Sequence, residues 1–149
     1  MTDYSNGQRG LFQHSDMAKQ LVSFEGLVFQ GKNGKNNVTP TDIDGLVQLD
    51  KENCFIFFEL KHHDNCPLGQ KKALERLVDC ISAKHKEEKY DSECVVFIAN
   101  HNTPKDKTII AKNSIVVEFY YHGKWFPDGK RTLGEISRDF INILSNKED

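Results

Sequence analysis

Proline is scarce in this chain, four residues in 149, and tryptophan occurs once. Charge of one sign is lacking too: 20 Lys and Arg nearly cancel 22 Asp and Glu, for a formal net charge of -2. The first shortage excludes collagen-like and proline-rich chains. The second excludes a histone-like protein that holds nucleic acid by bulk charge. It does not touch an enzyme that sets carboxylates against a phosphodiester through a metal. No apolar run approaches the roughly 18 residues of a membrane span, so no membrane partner is expected. Met1 to Gly10 is polar and lacks the charged-then-apolar layout of a signal peptide, so a cytoplasmic protein is expected.

No pair of cysteines forms a C-x-x-C motif. Cys54 and Cys94 sit in apolar strand-like runs and Cys80 on a helical apolar stretch, where free thiols act as small hydrophobes in a reducing compartment. A zinc site drawn from Cys54, His62, His63 and Cys66 lacks the spacing of paired zinc knuckles.

What is present suits a globular domain. Hydrophobic residues make up 38% and charged residues 28%. That composition supports a core without disulfides, and the length fits one domain over 1–149, with 1–13 as a flexible start. Ser15 caps a short helix bearing Met17, Leu21 and Phe24, which Gly26 ends. Leu27-Val28-Phe29 is a short strand candidate, followed by the polar loop Gly31 to Asn37. Asp44–Asp50 and Cys54–Lys61 read as two strands of a hairpin turning at Lys51-Glu52-Asn53. The second of them is apolar on both faces, as a central covered strand is.

From Leu68 to about His85 the period becomes helical. Ala73, Leu74, Leu77, Val78 and Ile81 form one stripe and Lys71, Lys72, Glu75, Arg76 and Asp79 the other face. Lys84 to Asp91 is a solvated charge run. Glu93–Ala99 and Ile115–Tyr121 are further strands, and His122-Gly123-Lys124 turns the chain into Trp125-Phe126. Thr132 and Glu135 make a capping box that opens a last helix with Leu133, Ile136, Phe140, Ile143 and Leu144. The order of elements predicts one mixed α/β domain.

The informative stretch is Thr39 to Arg76, TPTDIDGLVQLDKENCFIFFELKHHDNCPLGQKKALER. Side chains alternate along a strand, so Glu59 and Lys61 share a face with Phe55 and Phe57. Charges brought to the rim of a buried sheet need partners. A two- or four-residue loop centred on Lys51-Glu52 sets Asp44 opposite Glu59 and Asp42 opposite Lys61. A three-residue loop without a bulge would send Asp44 to the other face. In the first register two carboxylates converge beside a lysine, and a divalent cation resolves their repulsion. Hard oxygen ligands suit Mg²⁺ or Mn²⁺. Gln70, in line with Leu74, Leu77 and Ile81, projects from the first turn of the helix toward the sheet.

Asp44, then Glu59-Leu60-Lys61, then a helix opening with Gln70, resembles the PD-(D/E)XK nuclease superfamily. The run PTDIDG, FELK and GQKKALERL is similar to its small phage and prophage members. The matching part covers roughly residues 39 to 80. The resemblance implies a restriction-endonuclease-like α/β core (αβββαβ), a central mixed sheet of about four to five strands flanked by helices. The triplets Glu87-Glu88-Lys89 and Asp128-Gly129-Lys130 also match acid-x-Lys, but neither ends an apolar strand behind a hairpin partner bearing Asp. Asp44 is preceded by Ile43, whereas Pro40 precedes Thr41-Asp42, so both Asp42 and Asp44 stand as metal ligands, with position opposite Glu59 favouring Asp44.

By this resemblance Asp44, Glu59 and the Leu60 backbone carbonyl would hold Mg²⁺ or Mn²⁺, with Asp42 and Glu25 as further carboxylates. Lys61 would position or deprotonate the attacking water, and Gln70 would orient it or the scissile phosphate. The expected activity is DNA hydrolysis leaving 5′-phosphate and 3′-hydroxyl ends, in a possible homodimer. Lys32, Lys35, Lys71, Lys72 and Arg76 are the residues expected to grip the DNA backbone, equally readable as surface charge. His62, His63 and His101 are loop or strand-end histidines with a weaker claim on phosphate, and Trp125 is either a base-stacking or a core residue. The alternatives are a catalytically inactive module of the same fold, binding nucleic acid or a partner protein as a phage accessory factor, and a zinc-stabilised structural protein.

Overall fold

The computed structural model describes residues 23, 25–30, 37–38, 40, 42–63, 65–83 and 92–146. The expected flexible start, the Ser15 helix apart from Ser23, Lys32, Lys35 and the charge run of 84–91 with its Glu87-Glu88-Lys89 triplet lie outside them. The chain divides into two compact units at Pro40/Thr41. In the first, β1 (Phe29–Gln30) pairs antiparallel with β2 (Asn37–Val38). Strand pairing therefore begins at Phe29, and Leu27 and Val28 precede it as exposed residues.

The second unit is α/β. Its strands are β3 (Gly45–Leu49), β4 (Cys54–His62), β5 (Glu93–His101), β6 (Ile115–Tyr121) and β7 (Lys124–Pro127), joined in that order into a five-stranded mixed sheet. β4 and β5 are parallel and all other neighbours antiparallel. The parallel step needs a crossover, which α1 (Leu68–Ser82) provides. The second helix, α2 (Leu133–Ser145), follows β7.

The hairpin forms as its turn chemistry dictates. Asp50–Asn53 is a four-residue loop closed by the Asn53 amide donating to the Asp50 carbonyl at 3.2 Å. Asn53 takes φ 49°, a left-handed conformation that asparagine tolerates. This loop sets Leu49 opposite Cys54, Val47 opposite Ile56 and Gly45 opposite Phe58, the register that aims Asp44 at Glu59. Gly45 is required there, since a Cβ on it would lie 2.0 Å from Phe58 Cζ.

Each face of the sheet has its own core. On one, Phe57, Val96, Ile98 and Tyr120 pack with Leu74 and Val78 of α1. On the other, Ile56, Val95, Phe97 and Val116 pack with Leu133 and Ile136 of α2. The buried stripe of α1 runs through Leu74 and Val78, flanked by half-buried Leu77 and Ile81, while Ala73 is exposed. Cys80 is exposed as well, because it falls one position beyond that stripe. Helix α2 opens with the predicted cap: Thr132 Oγ1 accepts from the Glu135 amide at 3.2 Å. Its stripe is narrower than expected, for Ile143 is 59% exposed. Asp128, in the second acid-x-Lys triplet, closes the turn before α2. Its carboxylate accepts from the Lys130 and Arg131 amides and from the Arg131 guanidinium.

Candidate active site

Residues of one parity on β4 face α1. Phe55 and Phe57 start that row in the core and Glu59 and Lys61 end it, so the acid and the base arrive on the helix side of the sheet. Glu59 is only 3% exposed. Its Oε1 lies 3.4 Å from Lys61 Nζ, and its Oε2 has no hydrogen-bond partner among the described residues. Burial pushes the Glu59 carboxyl above the usual carboxylate range. The Gln70 amide draws it down, Asp44 pushes it further up and Lys61 draws it down.

Gln70 stands in the first turn of α1, half-buried against the same spot. Its Oε1 accepts from Lys61 Nζ at 2.9 Å and from the Cys66 thiol at 3.4 Å. Lys61 is therefore held between Glu59 and Gln70 and keeps about a fifth of its side chain exposed. Cys66, buried in the turn between β4 and α1, belongs to this cluster. Its only sequence signal is its place four residues before Gln70.

Asp44 sits one residue before β3, where the chain bends out of the ladder. Its Oδ2 accepts from the Leu60 amide at 2.7 Å, taking the place that a continuing strand would fill with a backbone carbonyl. A residue in a strand sends its N–H and C=O to the same side. The Leu60 carbonyl thus leaves β4 on the side of Asp44. Asp42 is exposed and lies beyond the last paired residue, Gly45, so the ladder does not carry it opposite Lys61 as expected. Glu25 is exposed and belongs to the first unit.

The basic residues of α1 differ in their engagement. Lys72 and Arg76 are exposed. Lys71 pairs with Glu118 at 2.9 Å and lies 4.3 Å over the Trp125 ring. Trp125 in turn donates to Glu75 and packs on Tyr120, 5.3 Å between ring centroids. Both are packed residues bridging α1 to the sheet. Glu118 reaches this face because the β5–β6 register shifts at Ile98/Ala99, and a bulge re-aims the side chains after it.

The histidines gather at the carboxyl end of β4 and β5. His62 lies beside His101, with ring centroids 5.1 Å apart, and His63 bonds Asn102. Cys54 is at the opposite end of the nine-residue β4 from His62, roughly 26 Å away at ~3.3 Å per residue, so the imagined zinc set cannot share an ion. Cys54, Cys66 and Cys94 are buried free thiols, and burial pushes Cys94 up to about 12.

Among the described residues no group of three or more His, Cys, Asp or Glu side chains is arranged to hold a metal. What Asp44, Glu59 and Leu60 offer is smaller and harder: two carboxylates on adjacent segments and one backbone carbonyl. The unpartnered Glu59 Oε2 fits a hard cation, which compensates a buried carboxylate oxygen where no donor does. Among the described residues, no helix is long and apolar enough to cross a membrane. Comparison with family models, curated proteins and solved structures finds no match to the chain.

Proposed function

We propose that this chain is a divalent-metal-dependent nuclease of the PD-(D/E)XK type that hydrolyses phosphodiester bonds in DNA, leaving 5′-phosphate and 3′-hydroxyl ends. The observation that carries this reading is Glu59: a buried carboxylate with a lysine at 3.4 Å and one oxygen lacking any partner among the described residues. Asp44, Glu59 and the Leu60 carbonyl would hold Mg²⁺ or Mn²⁺. Such an ion, when bound, polarises a phosphoryl oxygen and supplies a nucleophile at neutral pH.

The chain's own groups do the rest. Glu59 and Gln70 fix the Lys61 ammonium from two sides, which leaves its remaining donor for the part of the side chain that stays exposed. There it hydrogen-bonds the attacking water and offsets charge gathering on the phosphate oxygens. Gln70 serves mainly as a positioning residue, because its carbonyl oxygen is already shared by Lys61 and Cys66. Asp44 does two jobs: Oδ2 ties down the Leu60 amide, and Oδ1 is left for the cation. Lys72 and Arg76 on the exposed face of α1 contact the DNA backbone, and the protein works in the cytoplasm. A dimer would be needed to cut both strands of a duplex.

The test is cleavage of single-stranded, duplex and branched DNA with Mg²⁺ or Mn²⁺. Glu59→Gln and Lys61→Ala should each lower the rate by roughly 10²–10⁴-fold. Cleavage that survives both substitutions overturns the proposal. Binding without cleavage across these substrates and metals would replace it with the inactive nuclease-fold module.

A further inference from the structure

A cavity of about 490 Å³ opens beyond the carboxyl ends of β4 and β5, walled by His62, His101, Thr103, Lys105, Lys107 and Ile109. Its size is that of small-molecule sites, ~300–1,000 Å³. The charge on its wall is of one sign. Lys105 and Lys107 are exposed, and neither pairs with a carboxylate among the described residues. Among those residues no Asp or Glu lines the cavity, in a chain whose acids outnumber its bases by 22 to 20. The local turn explains this. Pro104–Lys107 is closed by the Lys107 amide donating to the Pro104 carbonyl at 3.0 Å. Both lysines reach the wall, while Asp106 between them does not. A cleft lined by one sign of charge concentrates the opposite ion.

The strand ends add neutral donors. His62 and His101 are partners in the parallel β4–β5 ladder, with ring centroids 5.1 Å apart. His101 Nδ1 accepts from the Thr103 amide at 3.3 Å. A neutral ring that accepts at Nδ1 carries its proton at Nε2, so His101 keeps one N–H to give. Thr103 brings a hydroxyl to the same wall. The ligand that matches carries two negative charges on oxygens that accept from several donors. A phosphate monoester bears about −1.5 to −2 at pH 7 and three acceptor oxygens. A carboxylate bears one charge and would leave one ammonium uncompensated.

We propose that this cavity is a phosphate site, in which Lys105 and Lys107 hold a phosphate monoester and His101 and Thr103 donate to its oxygens. The ester is borne by a small molecule or by the end of a nucleic-acid strand, and the recognising chemistry is the same. The site is separate from the proposed nuclease centre. His62 follows Lys61 on β4, so its side chain leaves on the other face of the sheet, in the row of Ile56, Phe58 and Leu60. The inference goes beyond the nuclease reading and does not depend on it.

The experiment is calorimetric titration of the full-length protein with inorganic phosphate at constant ionic strength. Phosphate should bind one to one. Lys105→Gln and Lys107→Gln, at exposed positions where folding should be undisturbed, should each weaken it about tenfold, the scale of one charge-assisted hydrogen bond. Lys124→Gln, an exposed position of β7 outside the cavity, should change affinity less than about twofold. Acetate should bind at least about tenfold more weakly than phosphate. No saturable phosphate binding, binding that survives both lysine variants, equal weakening by Lys124→Gln, or acetate as tight as phosphate each overturns the inference. Two further ligands identify the source: glycerol phosphate against glycerol, and a short 5′-phosphorylated oligodeoxynucleotide against its 5′-hydroxyl twin. A Lys105-dependent advantage of the phosphorylated strand assigns a strand end, and one of glycerol phosphate alone assigns a small molecule. If neither ester outbinds its unphosphorylated counterpart, the inference falls. Glu59→Gln should leave phosphate affinity unchanged, so the nuclease reading and the phosphate site fail or survive separately.

Discussion

Replacing Glu59 by Gln should make the metal-free protein more stable while abolishing its response to metal. Glu59 is buried at 3% exposure, its ion pair with Lys61 is long at 3.4 Å, and Oε2 is unpartnered among the described residues. An unsatisfied buried polar group costs about 1–3 kcal/mol, and more when charged. The amide keeps the shape and removes the charge. Lys61 keeps its 2.9 Å bond to Gln70 and its access to water, so its loss is smaller than that of a fully buried cation. The net expectation is a gain of about 1 kcal/mol at pH 7, a Tm rise of roughly 2–4 °C. The pH dependence has a definite sign. Burial raises the folded carboxyl above its unfolded value of about 4.3, so in the window above 4.3 the native state binds more protons than the unfolded one. The Glu59 contribution is thus most favourable below pH ~4 and is lost as pH rises through the folded value. Urea unfolding of both proteins from pH 4 to 8 should show the variant's advantage opening with rising pH. Saturating Mg²⁺ or Mn²⁺ should stabilise the wild type by about 2.7 kcal/mol at a hundredfold excess over Kd, and leave Glu59→Gln unmoved. A variant less stable than wild type by 2 kcal/mol or so, with no metal stabilisation of either protein, would show that Glu59 is an ordinary structural ion-pair partner.

Gly45→Ala should cost about 1–3 kcal/mol by chemical denaturation, because the new Cβ must displace the Phe58 ring that crosses it, and should lower nuclease activity through the shift this forces on the backbone next to Asp44; an undisturbed protein would contradict the cross-strand packing. Thr132→Ala should cost about 1 kcal/mol through loss of the α2 cap and leave kcat unchanged, since α2 packs on the opposite face. Asp128 behaves oppositely to Glu59 in pH. Burial pushes its carboxyl up, but the Arg131 and Lys130 amides and the Arg131 guanidinium outweigh burial and hold it below the usual range. Its contribution is therefore full above the unfolded value near 3.9 and is lost as pH falls through the folded one. Asp128→Asn should narrow its stability deficit relative to wild type as the pH is lowered from 5 to 2, and a deficit independent of pH would refute this.

Much of the sheet was legible because two-residue periodicity and turn chemistry are local. Leu49 and Cys54 bracket a polar four-residue segment, and once that loop is four long the register follows, with Gly45 opposite Phe58. The α2 cap was legible for the same reason, with donor and acceptor three residues apart. Where sequence reasoning went astray, the deciding contact was distant. Asp42 had the right parity to meet Lys61, but the chain bends at Asp44 because that carboxylate caps the Leu60 amide sixteen residues away in sequence. Ile143 fits the helical stripe of α2, yet it falls at the edge of that stripe and is 59% exposed, while Leu144 beside it is buried.

The candidate site shows the same division. Glu59, Lys61 and Gln70 come together because a strand end and the next helix start are joined by a short turn, a relation that spacing alone nearly fixes. Lys71 is one residue further along the same helix and reads identically in sequence to Lys72. Their difference arises from Glu118 and Trp125, brought beneath Lys71 by a bulge in β6 that no local pattern announces. The meeting of His62 with His101 was hidden in the same way: each stands at a strand end, and only parallel pairing across the α1 crossover makes them neighbours. Whether a lysine is engaged or left exposed is thus set by the strand that lies alongside. Local order specifies Glu59, Lys61 and Gln70, whereas the engagement of the side chains around them is specified by the third and fourth strands of the sheet.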